Sequence, residues 1–208
     1  MTRIGLIDYG MGNLHSVQRA FERLGCSIAS VNNSGAMQGC DALVLPGVGA
    51  FDPAMERLES SGLATAIQQW CAAGEPLLGI CLGLQLLFES SDEGSRQGLG
   101  VLAGHVAALP RQSGHPVPHM GWESLKPMTP SPLLPAGAEP AWMYFVHSYA
   151  AVPQDPNCTT AAVAFGDQLL TAAVWQGQVG ACQFHPEKSS LSGEAMLRRW
   201  LQWVEQSA

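Results

Sequence analysis

The stretch Pro76-Leu77-Leu78-Gly79-Ile80-Cys81-Leu82-Gly83-Leu84-Gln85 decides the fold. Pro76 to Ile80 is an apolar run with the length of a buried strand, and Leu82 to Glu89 reads as the start of a helix. Cys81 falls at their junction, where α/β proteins place a nucleophile. Gly79 and Gly83 permit a sharp strand-to-helix turn and close packing behind it, the arrangement of the G-x-S-x-G elbow with sulfur in place of oxygen. A lone cysteine is more often a small buried residue, so the turn by itself leaves both readings open.

Upstream, elements alternate. Arg3 to Asp8 is β-like, and Leu14, Val17, Phe21 and Leu24 recur at helical spacing before Gly25. Cys26 to Val31 and Ala42 to Leu45 follow as strands, and Leu63, Ala66, Ile67 and Trp70 form a helical face that Gly74 closes. Alternating β and α imply a mostly parallel sheet wound by helices. Asp8-Tyr9-Gly10-Met11-Gly12-Asn13 starts like a dinucleotide fingerprint, but His15 occupies the third glycine position and the match fails. It is either a tight βα turn or a contact surface. Pro46-Gly47-Val48-Gly49-Ala50-Phe51 is either a plain turn or a loop that offers backbone N–H groups to an anion.

Downstream the pattern changes. Ser90 to Gly100 is polar and Val101 to Leu109 β-like. His115 and His119 are spaced like helical zinc ligands, but Pro116 and Pro118 forbid that helix, and no metal or cofactor is expected. Met128 to Pro140 is a proline-rich loop to be ordered by packing or by a partner. Ala141 to Val152, Thr159 to Phe165, Gln168 to Trp175 and Val179 to Phe184 are β-like, with Gly166-Asp167 and Gln176-Gly177 as hairpin turns. Leu197, Trp200, Leu201 and Val204 mark a final helix. The expected architecture is an α/β wound sheet with an antiparallel β extension.

Composition narrows the function. The 208 residues suffice for one domain or for one with an elaboration, and at 47% hydrophobic and 13% charged they describe a globular chain. A net charge of -7 without a Lys/Arg cluster argues against nucleic acid. The start lacks the pattern of a signal peptide, and no uncharged run approaches membrane-spanning length; a cytoplasmic protein with no membrane role is expected. The six cysteines show no C-x-x-C spacing.

The second half of the chemistry lies at Gln183-Phe184-His185-Pro186-Glu187. Pro186 favours extended geometry at His185, and residues i and i+2 of an extended chain project the same way. Glu187 can therefore hold the His185 imidazole in one tautomer while its other nitrogen serves a nucleophile. With Cys81 this makes a Cys-His-Glu set suited to acyl transfer. Nearby His⁺ and a helix N-terminus favour a thiolate. The N–H of Leu82 and one from Val48 or Gly49 form the expected oxyanion hole.

Pro46-Gly47-Val48-Gly49, Gly79 to Gln85 and Phe184-His185-Pro186-Glu187 resemble, in order and spacing, the three signatures of class I (triad) glutamine amidotransferases. The resemblance runs the length of the chain and implies a single amidotransferase domain over residues 1–208 with a flavodoxin-like sheet. It implies that Cys81 attacks the carboxamide of L-glutamine, His185 moves protons, and Glu187 orients His185. It further implies that Gly49, Gln85, Glu93, Ser148 and Tyr149 hold the substrate. Asp8 to Leu14, His119-Met120-Gly121-Trp122, Tyr144 to Tyr149 and Glu187-Lys188-Ser189 are similar to the members that form a heterodimer with a (β/α)8-barrel cyclase subunit in histidine biosynthesis. That likeness implies an interface including Asn13, Met120 and Trp122. Glu123 departs from the Asn usual after His-Met-Gly-Trp and puts a charge beside the expected interface. An amidotransferase subunit of another synthase and a catalytically silent scaffold are the alternatives.

Overall fold

The computed structural model describes residues 1–136 and 141–207. The first half contains β1 (Arg3–Ile7), α1 (Leu14–Arg23), β2 (Ser27–Val31), β3 (Ala42–Gly47), α2 (Phe51–Ser60), α3 (Leu63–Ala72), β4 (Leu77–Cys81) and α4 (Leu82–Leu86). The second half contains β5 (Ser90–Ser91), β6 (Gly104–Ala108), β7 (His119–Ser124), β8 (Lys126–Pro127), β9 (Trp142–His147), β10 (Tyr149–Pro153), β11 (Thr159–Phe165), β12 (Gln168–Gln176), β13 (Val179–Cys182) and α5 (Ser190–Ser207).

One sheet carries eight strands in the order β2-β1-β3-β4-β13-β12-β11-β8. The strands from β2 to β13 pair in parallel, and β12, β11 and β8 extend the sheet antiparallel. The parallel part has the flavodoxin-like order, which places ligand sites at the carboxyl ends of the strands. Strand alternation divides the core between the two faces. Ile4, Val44, Leu78 and Ile80 pack with Val17, Phe21, Leu197 and Trp200 of α1 and α5. Leu43, Leu45 and Leu77 pack with Phe51, Leu58 and Ile67 of α2 and α3.

Three expectations need correction, and one element is new. Helix α2 is an addition to the expected elements: Phe51, Ala54, Met55 and Leu58 stand at helical spacing, although Ala50 at its start makes no side-chain cap. The missing acceptor comes from Glu93 Oε2, which takes the Phe51 N–H at 2.9 Å from 42 residues away. Helix α4 stops at Leu86 and does not run on to Glu89. Its last carbonyl and those just beyond it are taken by the next segment, Leu99 N–H bonding Leu86 O (2.8 Å), Leu102 N–H Leu87 O (2.9 Å) and Gly98 N–H Glu89 O (2.9 Å). That duty also delays the Val101 to Leu109 strand to Gly104. Ala141 to Val152 is two strands in two sheets, β9 pairing with β7 and β10 with β6. The break at Ser148 is fixed by its carbonyl accepting from Leu109 N–H at 2.9 Å.

The Met128 to Pro140 loop is held by packing where it is described. Met128 N–H bonds Thr160 O at 2.9 Å, Leu133 and Leu134 are buried, and Arg199 Nε donates to Leu133 O at 3.0 Å. Residues 137–140 of that loop lie outside the described residues.

The elbow glycines act as expected. A Cβ on Gly83 would overlap the Leu45 carbonyl, and one on Gly79 would lie 3.0 Å from Gly83 O and 3.1 Å from Ala181 Cβ. Backbone cannot yield as a flexible side chain can, so Gly83→Ala is expected to destabilise the chain by on the order of 3 kcal/mol. Urea unfolding measures this, and an unchanged midpoint would show slack between α4 and β3.

Candidate active site

Cys81 has φ +56° and ψ -110°, a conformation foreign to ordinary strand and helix. Holding a non-glycine residue there costs roughly 1–3 kcal/mol. The surrounding structure enforces it: β4 is clamped between β3 and β13, and α4 presses through Gly83 onto β3. The side chain is thereby aimed into a cavity of about 290 Å³ at the carboxyl edge of the sheet. The helix that follows has only five residues, so its dipole is smaller than the sequence reading supposed. The local N–H groups of its first turn, Leu82 among them, remain the relevant donors.

The His185 and Glu187 side chains meet, with Nδ1 2.8 Å from Oε1 and both almost fully buried. They do so through a 3-10 turn over Pro186–Lys188, not through the extended chain the spacing suggested. The turn is fastened to β9. Tyr144 N–H donates to Ser189 Oγ (2.9 Å), Ser189 Oγ donates to His185 O (2.6 Å), and His185 N–H donates to Tyr144 O (2.9 Å). Burial disfavours a charged ring, but hydrogen bonding to and the negative charge of Cys81 and Glu187 outweigh it and raise His185 to about 9.

The cavity is lined by Cys81, Leu82, Val48, Gly49, Gln85, Glu93, Ser148, Tyr149 and His185, so every residue expected above to hold substrate or oxyanion shares one cavity with Cys81 and His185. Glu187 stands behind His185. Gln85 donates through Nε2 to Tyr149 O (3.2 Å) and Gln183 Oε1 (3.0 Å). Glu93 sits on a loop docked to α2, where Asp52 accepts from Ser95 N–H (3.0 Å) and Arg96 N–H (3.0 Å), bonds that pull its carboxyl below the usual range. The Asp8 to Asn13 turn braces the glycine loop. Tyr9 Oη donates to Pro46 O at 3.0 Å, burial and the charge of Cys81 holding the phenol protonated, and a Cβ on Gly49 would lie 2.9 Å from the Met11 methyl.

The other five cysteines are held as thiols. Burial pushes Cys26 and Cys71 up to about 11, Cys182 well above its ordinary value, and Cys40 and Cys158 upward.

The β7-β9 ribbon borders the cavity. Register places Met120, Trp122 and Ser124 opposite Val146, Tyr144 and Trp142 on one face. Met120, Trp122 and Trp142 are 61%, 48% and 56% exposed, a strip of apolar surface too continuous for chance scatter. Val146 carries the strip to the cavity lining. Glu123 lies on the opposite side of the ribbon, its Oε1 3.8 Å from His119 Nε2, so its charge is outside the strip. Asn13 is exposed at the start of α1 without capping it through its side chain.

Residues 5–203 match the family model described as glutamine amidotransferase class-I. The imidazole glycerol phosphate synthase subunit HisH of Synechococcus sp. (strain CC9605) is 60% identical over 99% of this chain and 96% of its own. The chain belongs to this family of class-I glutamine amidotransferases. A HisH 2 subunit from Prochlorococcus marinus (strain MIT 9313) is 58% identical over 100% of this chain and 98% of its own. Two solved structures share the fold: a crystal structure of glutamine amidotransferase, at TM-score 0.76, 22% identity and 97% and 98% coverage of the two chains, and the structure of PurLQS from Thermotoga maritima, at 0.76, 19%, 98% and 99%.

Three residues around this cavity were not among those the sequence singled out for the site. Ser189, fully buried, ties the His185 turn to β9. Gln183, also fully buried, has Nε2 3.8 Å from Cys81 Sγ. Their signal was adjacency to the His185 motif. His147 lines the cavity, and its Nδ1 lies 2.8 Å from Tyr149 O, a carbonyl that can only accept. Nδ1 therefore carries the proton, and Nε2 accepts from His119 Nδ1 at 3.1 Å.

Burial lowers His147 to about 4, so it is neutral at pH 7. The unfolded chain, with a His value near 6.5, binds this proton first. Stability from this group is complete above about pH 6.5 and falls progressively as pH drops towards 4, by on the order of 3 kcal/mol. Unfolding midpoints across pH 7 to 4 should fall less steeply in His147→Gln than in the wild type; parallel curves would disprove the assignment.

Proposed function

We propose that the chain is the glutaminase subunit of an imidazole glycerol phosphate synthase and works through Cys81, His185 and Glu187. What carries this reading is the strained Cys81 elbow opening on the same cavity as an imidazole held by a buried carboxylate. The thiolate attacks the carboxamide carbon of L-glutamine. The resulting oxyanion is taken by N–H groups of Leu82 and the Val48-Gly49 loop, whose individual loss typically costs on the order of 10² to 10³ in rate. His185 gives its proton to the departing amine, ammonia leaves, and a glutamyl thioester remains. Water, deprotonated by His185, then attacks the thioester and releases glutamate.

Gln85, Glu93, Gly49, Ser148 and Tyr149 hold the amino-acid end of the substrate. Asn13 and the strip of Met120, Trp122 and Trp142 are covered by a (β/α)8-barrel cyclase subunit in a heterodimer. Val146, shared by strip and cavity, puts the ammonia beside that covered face. The cyclase uses it to form imidazole glycerol phosphate and an aminoimidazole carboxamide ribotide in histidine biosynthesis. No cofactor takes part in the glutaminase step. We place the reaction in the cytoplasm, where six free thiols are kept reduced; among the described residues, no helix is long and apolar enough to cross a membrane.

In the complex, Cys81→Ala is expected to abolish synthesis from glutamine and spare synthesis from added ammonium salt. Loss of both would refute the division of labour. The purified chain alone should hydrolyse glutamine at a small fraction of its rate with the cyclase subunit and its ligand bound. Equal turnover with and without the barrel would contradict coupling between the two sites.

A further inference from the structure

Gln183 occupies a position the triad does not explain. Its side chain is fully excluded from solvent, and its backbone N–H bonds Ala172 O at 2.8 Å, placing it just beyond β13 at the level of Cys81. A buried amide must have both ends satisfied, and a chain of contacts settles which end faces the sulfur. The chain starts at Tyr149 O, which can only accept. Gln85 Nε2 lies 3.2 Å from that carbonyl and 3.0 Å from the Gln183 side chain, so the atom it meets on Gln183 must be the acceptor Oε1. The other end, Nε2, is then turned to Cys81 Sγ at 3.8 Å. His147 Nδ1–H donates to the same Tyr149 carbonyl and fixes the start of the chain from the other side.

We infer that Gln183 is a positioning residue for the glutaminase step: its side-chain amide donates to Cys81 Sγ and holds the thiolate aimed into the cavity. The inference rests on the reading of Cys81 as nucleophile. A donor is what an anionic sulfur in a buried elbow requires, because burial opposes the charge and a hydrogen bond to the charged form favours it. His185 can supply one such bond only while it keeps its proton, and it surrenders that proton to the leaving amine. The Gln183 amide has no proton to give up, so its bond survives every step in which sulfur carries charge. The same geometry engages both N–H groups of Gln85, leaving its carbonyl oxygen as the polar atom free for a ligand in the cavity that Gln85 lines.

The test compares the full-length wild type with Gln183→Met, which keeps the volume and removes the donor. Gln183→Leu is the second donor-free variant should the first not fold, and circular dichroism establishes folding. Carbamidomethylation of Cys81 by iodoacetamide is followed against pH by mass spectrometry, and glutamine turnover is measured in complex with the cyclase subunit. The pH midpoint of alkylation is expected to move up by about one unit, equivalent to an order of tenfold less thiolate at a fixed pH below it. kcat should fall on the order of tenfold with KM little changed. A folded variant with the wild-type midpoint overturns the inference even if kcat falls, since a merely structural role would give that result. Failure of the wild type itself to react at Cys81 or to hydrolyse glutamine overturns the glutaminase reading, and the role of Gln183 with it.

Discussion

Everything in this site depends on one close approach, that of the first turn of α4 to the carbonyl of Leu45. A side chain at Gly83 would occupy the space of that oxygen. Because the helix sits so close, the chain must turn from β4 to α4 within one residue, and that residue takes a left-handed conformation. The strain at Cys81 is thus imposed by packing and sustained by three adjacent parallel strands, β3, β4 and β13. The interior pays for a geometry that sequence preference alone rejects, and the result is a sulfur at the mouth of a sheet instead of in its core.

Around the elbow, groups are fixed by backbone contacts more than by one another. The His185 turn hangs from β9 through Ser189, and the glycine loop leans on Tyr9 and Met11. Glu93 closes the open end of α2 while its loop is held by Asp52. The cavity lining comes from the glycine loop, the β4-α4 elbow, the Glu93 loop, the end of β9 with the start of β10, and the His185 turn, so the cavity exists only when the wound sheet and the smaller β7-β9 and β10-β6 pairings are all in place. Its electrostatics follow from burial. His185 is raised because two negative partners outweigh desolvation, and His147 is lowered because no negative partner opposes desolvation there.

Local signals were legible in the sequence and distant ones were not. The Cys81 elbow, the parallel strands and α1, α3 and α5 could be read because glycine positions and apolar periodicity write them directly. Helix α2 was legible too, with Phe51, Ala54, Met55 and Leu58 at helical spacing, and only its start lacked a local signal, since the acceptor there is Glu93 and no window of sequence joins residues 51 and 93. The length of α4 was set by carbonyls captured at 98–102, again a tertiary choice. His185 and Glu187 were paired correctly for the wrong local reason, a turn having replaced the extended chain. The candidate oxyanion donors follow from the elbow and the glycine loop and the candidate substrate residues from family resemblance, whereas Gln183 carries no local signal beyond its place beside the His185 motif, because burial and the direction of an amide become visible only with neighbours in place.

Burial has a further effect on the molecule's chemistry as a whole. Five cysteines are kept as thiols by desolvation, while the sixth opens on a solvent-connected cavity beside a protonated imidazole. Towards a soft electrophile near neutral pH, the six thiols are therefore unequal, five held protonated by burial and one opening on a cavity. On the proposed reading of Cys81 as nucleophile, a reporter would be directed there in the unmodified protein, with no cysteine removed to make room for it.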